Sequence, residues 1–342
     1  PLPVDGELGY LIESMPNSVL RQAMIDLASV ITTPAQLFTT PSQDTLVALA
    51  KAHGEHLMHS DIAVSIAAIR GQCHDHLSID TTALEEARNY SNYLRDIYQL
   101  PELSKSARFD HQALLEAIAA ALPETIFVRR NNRRGGFGNG SMEVSAAKQS
   151  LLPEDAEAAL VLASFSLAGK GKKQAQTLAT LSAPIRYATV LAHANIETTM
   201  THCYVHEDLA TNSLEIRATF SHGYADVPLS STDSLVQETN LIDALIELIC
   251  RGELFTGVAA RLEHKLAYHQ LYLRYHEQQQ EVPSLAALLK TTLNDLGVQS
   301  QEDIALIAED DFSYEGIPDW QAQDFIDRYP LSVTLPSMTL NI

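Results

Sequence analysis

The sequence predicts an α+β chain of several domains: a helical bundle, then a small β-barrel, then a mixed α/β segment. Three observations lead there. Apolar residues recur at helical spacing as far as about residue 122, as in Leu20, Met24, Leu27 and Ile31. From Pro123 to about Ser231 the texture changes to short strand-like runs broken by turn signals. Beyond about residue 233 helical spacing returns, followed by strand-like ends. The expected domains are therefore 1–122, 123–232 and 233–342, within reach of a chain of 342 residues.

In the first part, Leu8, Leu11 and Ile12 share one helical face, and Pro34 stops the helix that contains Leu20 to Ile31. Helical spacing continues from Thr45 to Leu57. His59-Ser60-Asp61 supplies a cap before Ile62, Val64, Ile66 and Ile69. Further helices are expected over Leu84–Tyr98 and Ala113–Leu122, the latter ended by Pro123. Amphipathic helices with short connections make a bundle.

In the middle part, strands are expected at Thr125–Arg130, Ser141–Ala147, Ala159–Leu167, Thr177–Leu181, Thr198–Val205 and Leu214–Phe220. Turns separate them at Gly135-Gly136, Pro153-Glu154-Asp155, Gly169-Lys170-Gly171 and Thr211-Asn212-Ser213. A short helix, Pro184 to His193, interrupts the run. Five or six short strands with one inserted helix fit a small Greek-key barrel of the OB type. The last part reads as helices over Leu241–Cys250, Val258–Tyr275 and Leu285–Leu296, with strand-like ends at Ile304–Ile307 and Leu331–Leu335.

Asp and Glu total 43 against 23 Lys and Arg, a formal charge of −20. Such a chain is no general polyanion binder, and any nucleic-acid contact needs a local basic stripe or a partner domain. No apolar run approaches the roughly 20 residues of a membrane span, and no signal peptide opens the chain. Cys73, Cys203 and Cys250 are odd in number and far apart, which points to free thiols in a reducing cytoplasm. The first residue is Pro1 and the last are strand-like, compatible with a piece of a longer protein.

Four arginines nevertheless stand within six residues, in Arg129-Arg130-Asn131-Asn132-Arg133-Arg134. Strand-like residues precede them, four glycines follow up to Gly140, and alternation resumes at Met142 and Val144. This reads as a hairpin with a loose basic tip. The arginines can neutralise phosphates, Asn131 and Asn132 can hydrogen-bond, and Phe137 can stack on a base. Lys170, Lys172 and Lys173 form a second basic turn that adds charge if both turns lie on one barrel face. The competing reading is a solvated hairpin end.

Other chemistry is poorly supported. There is no GxxxxGK[ST] phosphate loop and no GxSxG elbow. His53, His56 and His59 stand three apart, with His74 and His76 following, but no HExxH or carboxylate set accompanies them, so no metal is expected. The run Ile185-Arg186-Tyr187 through His193 to Met200, with Tyr204 beyond, resembles the box before the nucleophile of tyrosine recombinases. The His-x-x-Arg needed upstream is absent, and a long stretch follows, so a degenerate recombinase is the remote alternative.

Several short segments together resemble the C-terminal half of a bacterial DEAH-box ATP-dependent RNA helicase of the Hrp type. Leu2-Pro3-Val4-Asp5 through Leu11 is similar to the family's passage from winged helix to ratchet bundle, although Gly6, Glu7 and Gly9 depart from it. His59-Ser60-Asp61-Ile62-Ala63-Val64 resembles a bundle segment, with Ile62 where histidine is usual. Leu122-Pro123-Glu124-Thr125-Ile126-Phe127-Val128-Arg129-Arg130 is similar to the start of the OB barrel. Asp319-Trp320-Gln321-Ala322-Gln323 and Leu335-Pro336-Ser337 resemble the C-terminal extension.

The resemblance implies an RNA-holding and coupling segment with no ATP chemistry of its own. ATP and magnesium would belong to two helicase lobes elsewhere in a longer, cytoplasmic protein. The implied partners are those lobes and RNA, single-stranded by the reading of the hairpin. The alternative of a different class is a stand-alone OB-fold adaptor or single-stranded nucleic-acid-binding module.

Overall fold

The computed structural model describes residues 4–39, 44–45, 60–72, 77–130, 136–167, 176–208, 213–335 and 338–341. The chain is mixed α and β and divides into two compact units. The first comprises Pro1–Glu197 with His222–Ser230; the second comprises Thr198–Ser221 with Ser231–Ile342.

The first unit begins with α1 (Gly6–Ser14), α2 (Ser18–Thr32), α3 (Asp61–Ile69), α4 (Thr81–Ile97) and α5 (His111–Ala121). Their starts follow from capping side chains. Asn17, Ser60, Asp80 and Asp110 each accept hydrogen bonds from backbone N–H groups of the first turn. The expected helix over Thr45–Leu57 lies outside the described residues apart from Thr45. Helix α2 contributes Leu20, Ala23, Met24, Leu27 and Ala28 to a core shared with Ile62, Ile66, Leu94, Leu114 and Ile118.

A buried cluster of charged groups lies inside this bundle. Asp26 is fully buried and accepts from Arg95 Nη2 at 2.8 and 2.7 Å, Arg95 Nε at 3.0 Å, Arg70 Nε at 2.7 Å and Ser91 Oγ at 2.7 Å. Arg95 also donates to the Pro101 carbonyl and to Ser106 Oγ. Two guanidinium groups on one carboxylate supply the pairing that a buried charge requires.

The β part of this unit is a closed barrel in the order β1-β2-β3-β5-β4: β1 (Ile126–Arg129), β2 (Gly136–Gly138), β3 (Glu143–Ala146), β4 (Ala158–Leu167) and β5 (Gln176–Ile185). β1 pairs antiparallel with both β2 and β4, while β3 and β5 run parallel. Successive strand residues face opposite sides. Phe127 therefore joins Phe137, Val144, Ala159 and Ala179 inside, whereas Ile126 and Val128 join the helical core. The wall formed by β1 is thus buried on both faces.

One expectation about the barrel needs correcting. The strands expected in the barrel at Thr198–Val205 and Leu214–Phe220 instead form a separate three-stranded sheet, β6-β7-β8 (Glu197–Asp208, Ser213–Tyr224, Val227–Leu235). The inserted helix is α6 (Tyr187–His193), which follows β5 and leads into that sheet. β8 went unforeseen because its turn, Ala225-Asp226, lacks glycine, yet both residues have positive φ, 50° and 62°. Two such residues between paired strands have the backbone signs of a type I′ hairpin turn.

In the second unit, Cys203, Ile216, Ala218 and Phe220 pack on Leu241, Ala244, Leu245 and Leu248 of α7 (Glu238–Arg251). Then come α8 (Val258–Tyr275), α9 (Leu285–Asp295), α10 (Asp319–Arg328) and the antiparallel pair β9 (Ser332–Leu335) and β10 (Met338–Asn341). The strand expected at Ile304–Ile307 is mostly the 3₁₀ segment Gln301–Leu306. Its start is fixed by Ser300 and Asp303, whose side chains cap each other's backbone.

Candidate nucleic-acid interface

The basic stretch begins at the end of β1, and the structure turns its first two arginines inward. Arg129 Nε donates to the Ala156 carbonyl at 2.6 Å. Its guanidinium carbon lies 4.8 Å from the centre of the Phe137 ring, a cation–π arrangement. Arg130 Nη1 donates to the Ala225 carbonyl at the tip of the β7–β8 hairpin. Its guanidinium lies 3.8 Å from Glu143 and 3.9 Å from Asp226.

Phe137 is 2% exposed and belongs to the barrel core. The expectation that it stacks on a base does not fit this burial, because the ring's neighbours are Phe127, Val144 and Arg129. Gly136-Phe137-Gly138 is itself a strand, β2, where a loose tip was expected. Gly138 makes the arrangement possible. A Cβ there would stand 2.5 Å from Arg130 Nε, so only glycine lets the guanidinium lie across the strand. The turn after β2 is Asn139–Met142, where Asn139 Oδ1 accepts from the N–H groups of Ser141 and Met142.

Asn131, Asn132, Arg133, Arg134, Lys170, Lys172 and Lys173 lie outside the described residues, as do His53, His56, His59, His74 and His76. Among the described residues, no group of three or more His, Cys, Asp or Glu side chains is placed to hold a metal ion. No helix among them is long and apolar enough to cross a membrane. Of the proposed recombinase set, His193 pairs with Glu116 at 2.8 Å, and Glu116 also accepts from Thr189 and Gln112. The hydrogen bonds from Thr189, His193 and Gln112 hold the Glu116 carboxyl below its ordinary value against the effect of burial. The pair joins α5 to α6.

A residue expected only in the cap of a helix and in a family-like segment holds barrel and bundle together. Asp61 opens α3 and is buried. Its Oδ1 accepts from Leu151 N–H at 2.6 Å. Its Oδ2 accepts from Ser150 Oγ at 2.6 Å, Ser182 N–H at 3.1 Å and Ser182 Oγ at 2.9 Å. Burial pushes its carboxyl upward, and the four hydrogen bonds pull it partly back. Beside it, Ser60 caps α3 and approaches His111 Nε2 at 3.3 Å. The tip of the β7–β8 hairpin is itself tied to the barrel, Tyr224 Oη donating to the Ile126 carbonyl of β1 at 3.0 Å.

The sequence matches no protein-family model and no curated protein. Solved structures similar to the chain include two of HrpB from Escherichia coli, described as a DExH-box NTPase and as a DEAH/RHA helicase. Each shares 15% identity at a TM-score of 0.41 over 99% of this chain. The chain spans 37% and 38% of the length of those two structures.

Proposed function

We propose that this chain is the RNA-holding and coupling C-terminal portion of an ATP-dependent DEAH-box RNA helicase. The observation that carries the reading is Asp61. It stands in the segment, His59 to Val64, that resembles the family's ratchet bundle. Its carboxylate binds the barrel at Leu151, Ser150 and Ser182. A bundle and barrel tied through a buried carboxylate move as one piece, which is what transmitting a lobe movement to bound RNA requires. The barrel's strand order, with β1 between β2 and β4 and a parallel β3–β5 pair, is the support for an OB-type barrel.

In this reading the helicase lobes, with ATP and magnesium, belong to other parts of a longer cytoplasmic protein. The division into bundle, barrel and C-terminal extension is kept as part of this proposal, with the barrel strands limited to β1–β5. RNA contact falls to Asn131, Asn132, Arg133 and Arg134, between β1 and β2 in the sequence, and to Lys170, Lys172 and Lys173. Arg129 and Arg130 shape the base of the tip, and Phe137 anchors it. The test is single-stranded RNA affinity of the longest natural form at two salt concentrations. Arg133→Ala with Arg134→Ala should weaken binding and flatten the salt slope by about one to two phosphates' worth of counterions. Unchanged affinity and slope would mean that the tip does not hold RNA.

A further inference from the structure

Helix α10 carries the only tryptophan of the chain, Trp320, and leaves it 78% exposed. The opposite face of the helix is occupied. Gln321 accepts from the Tyr272 hydroxyl at 2.7 Å. The Phe325 ring packs against Tyr272, Tyr275 and Tyr329 at 5.2, 5.9 and 5.0 Å between centres. The outward residues Trp320, Gln323, Asp324 and Asp327 are all exposed. They fall at i, i+3, i+4 and i+7, one continuous stripe about 10 Å long. Gln323 Nε2 donates to Asp327 Oδ1 at 2.9 Å, which fixes that carboxylate along the stripe.

The charge around this stripe is mostly negative. Residues 301–328 include nine Asp and Glu and one basic residue, Arg328, which ends α10 four residues after Asp324. Arg261 is engaged by the carbonyls of Glu309 and Phe312, and Lys265 by that of Tyr314. Among the described residues, no lysine or arginine forms an ion pair with Asp319, Asp324 or Asp327. An exposed indole is the strongest cation–π acceptor among side chains, and two carboxylates continue its row.

We propose that this face of α10 docks an arginine- or lysine-rich segment of a partner protein. One cation stacks on the Trp320 indole, and others pair with Asp324 and Asp327. A phosphate backbone is repelled by the same carboxylates, so RNA is not the occupant.

Because Trp320 is the only tryptophan, its emission reports on this face directly. The full chain is titrated with a nona-arginine peptide and, separately, with single-stranded RNA. The peptide should quench and shift the emission in a saturable way that weakens with salt. Asp324→Asn with Asp327→Asn should weaken binding about fivefold to tenfold, as two exposed ion pairs allow. Glu281→Gln with Asp295→Asn removes the same charge at two other exposed sites of the second unit and should change affinity less than twofold. Equal weakening by both pairs would show only the diffuse field of a chain of charge −20 and would overturn the proposal. So would an unresponsive Trp320, or an equal response to RNA.

Discussion

The Asp61 carboxylate accepts both the backbone N–H and the hydroxyl of Ser182, at 3.1 and 2.9 Å, so one side chain from the start of α3 holds two groups of β5. With Leu151 N–H and Ser150 Oγ, it satisfies four donors. Removing it leaves two buried N–H groups without an acceptor, whereas an asparagine keeps the shape but turns donors towards donors.

Asp61→Ala should therefore lower stability by about 2–5 kcal/mol, with Asp61→Asn close behind. Urea unfolding followed by circular dichroism measures this. A loss below about 0.5 kcal/mol, the range of neutral surface changes, would show that barrel and bundle do not depend on the carboxylate.

His111 gives stability a pH dependence. Burial pushes its imidazole down from 6.5 to about 4. Between those values the unfolded chain binds a proton that the folded chain refuses, so stability rises with pH. The contribution is complete above pH 6.5 and is lost as the pH falls towards about 4. Its size is roughly 1–3 kcal/mol, allowing for partial exposure. Asp61 acts in the opposite sense, since a raised carboxyl loses its contribution as pH rises. The measurement must therefore be a difference: wild type minus His111→Gln across pH 4 to 7. A flat difference would show that the imidazole protonates as readily in the fold as in the unfolded chain.

Gly138 and Arg130 should be energetically coupled. Gly138→Ala puts a methyl group 2.5 Å from the guanidinium nitrogen, which must swing off the Ala225 carbonyl, and should destabilise by about 0.5–1.5 kcal/mol, the worth of that hydrogen bond. In an Arg130→Ala background the same change should be tolerated better, giving a coupling of about 1 kcal/mol in a double-mutant cycle. Simple additivity would place the Arg130 side chain away from the strand.

The helices were readable because their signals are local. Apolar residues of α2 keep helical spacing from Leu20 to Leu27, and Ser60 stands where a cap is needed. The longer strands β4 and β7 were readable from their composition. What escaped depends on contacts far along the chain. Gly136 and Gly138 read as a turn, yet the ring of Phe137 between them fills the barrel and makes the segment a strand. Ala225-Asp226 carries no glycine signal, and so β8 was missed. Arg129 and Arg130 read as ligand-facing because clustered charge looks like surface. Their acceptors, Ala156 and Ala225, lie 27 and 95 residues away. The role of Asp61 was hidden similarly, since its acceptor capacity is used 90 and 121 residues downstream.

The hairpin tip that completes the first unit has a consequence for synthesis. Tyr224 reaches Ile126 across 98 residues, and the unit takes in His222–Ser230 after the chain has passed through Thr198–Ser221. A nascent chain released only as far as Glu197 has every strand of the barrel but lacks the hydroxyl and carbonyl that meet β1 and Arg130. The ribosome must expose residue 230 before that unit can reach its final state, so β1 waits while roughly a hundred further residues are made, at about 5–20 per second. A premature stop between 197 and 222 therefore leaves a barrel without the hydrogen bonds that Tyr224 and Ala225 make to Ile126 and Arg130.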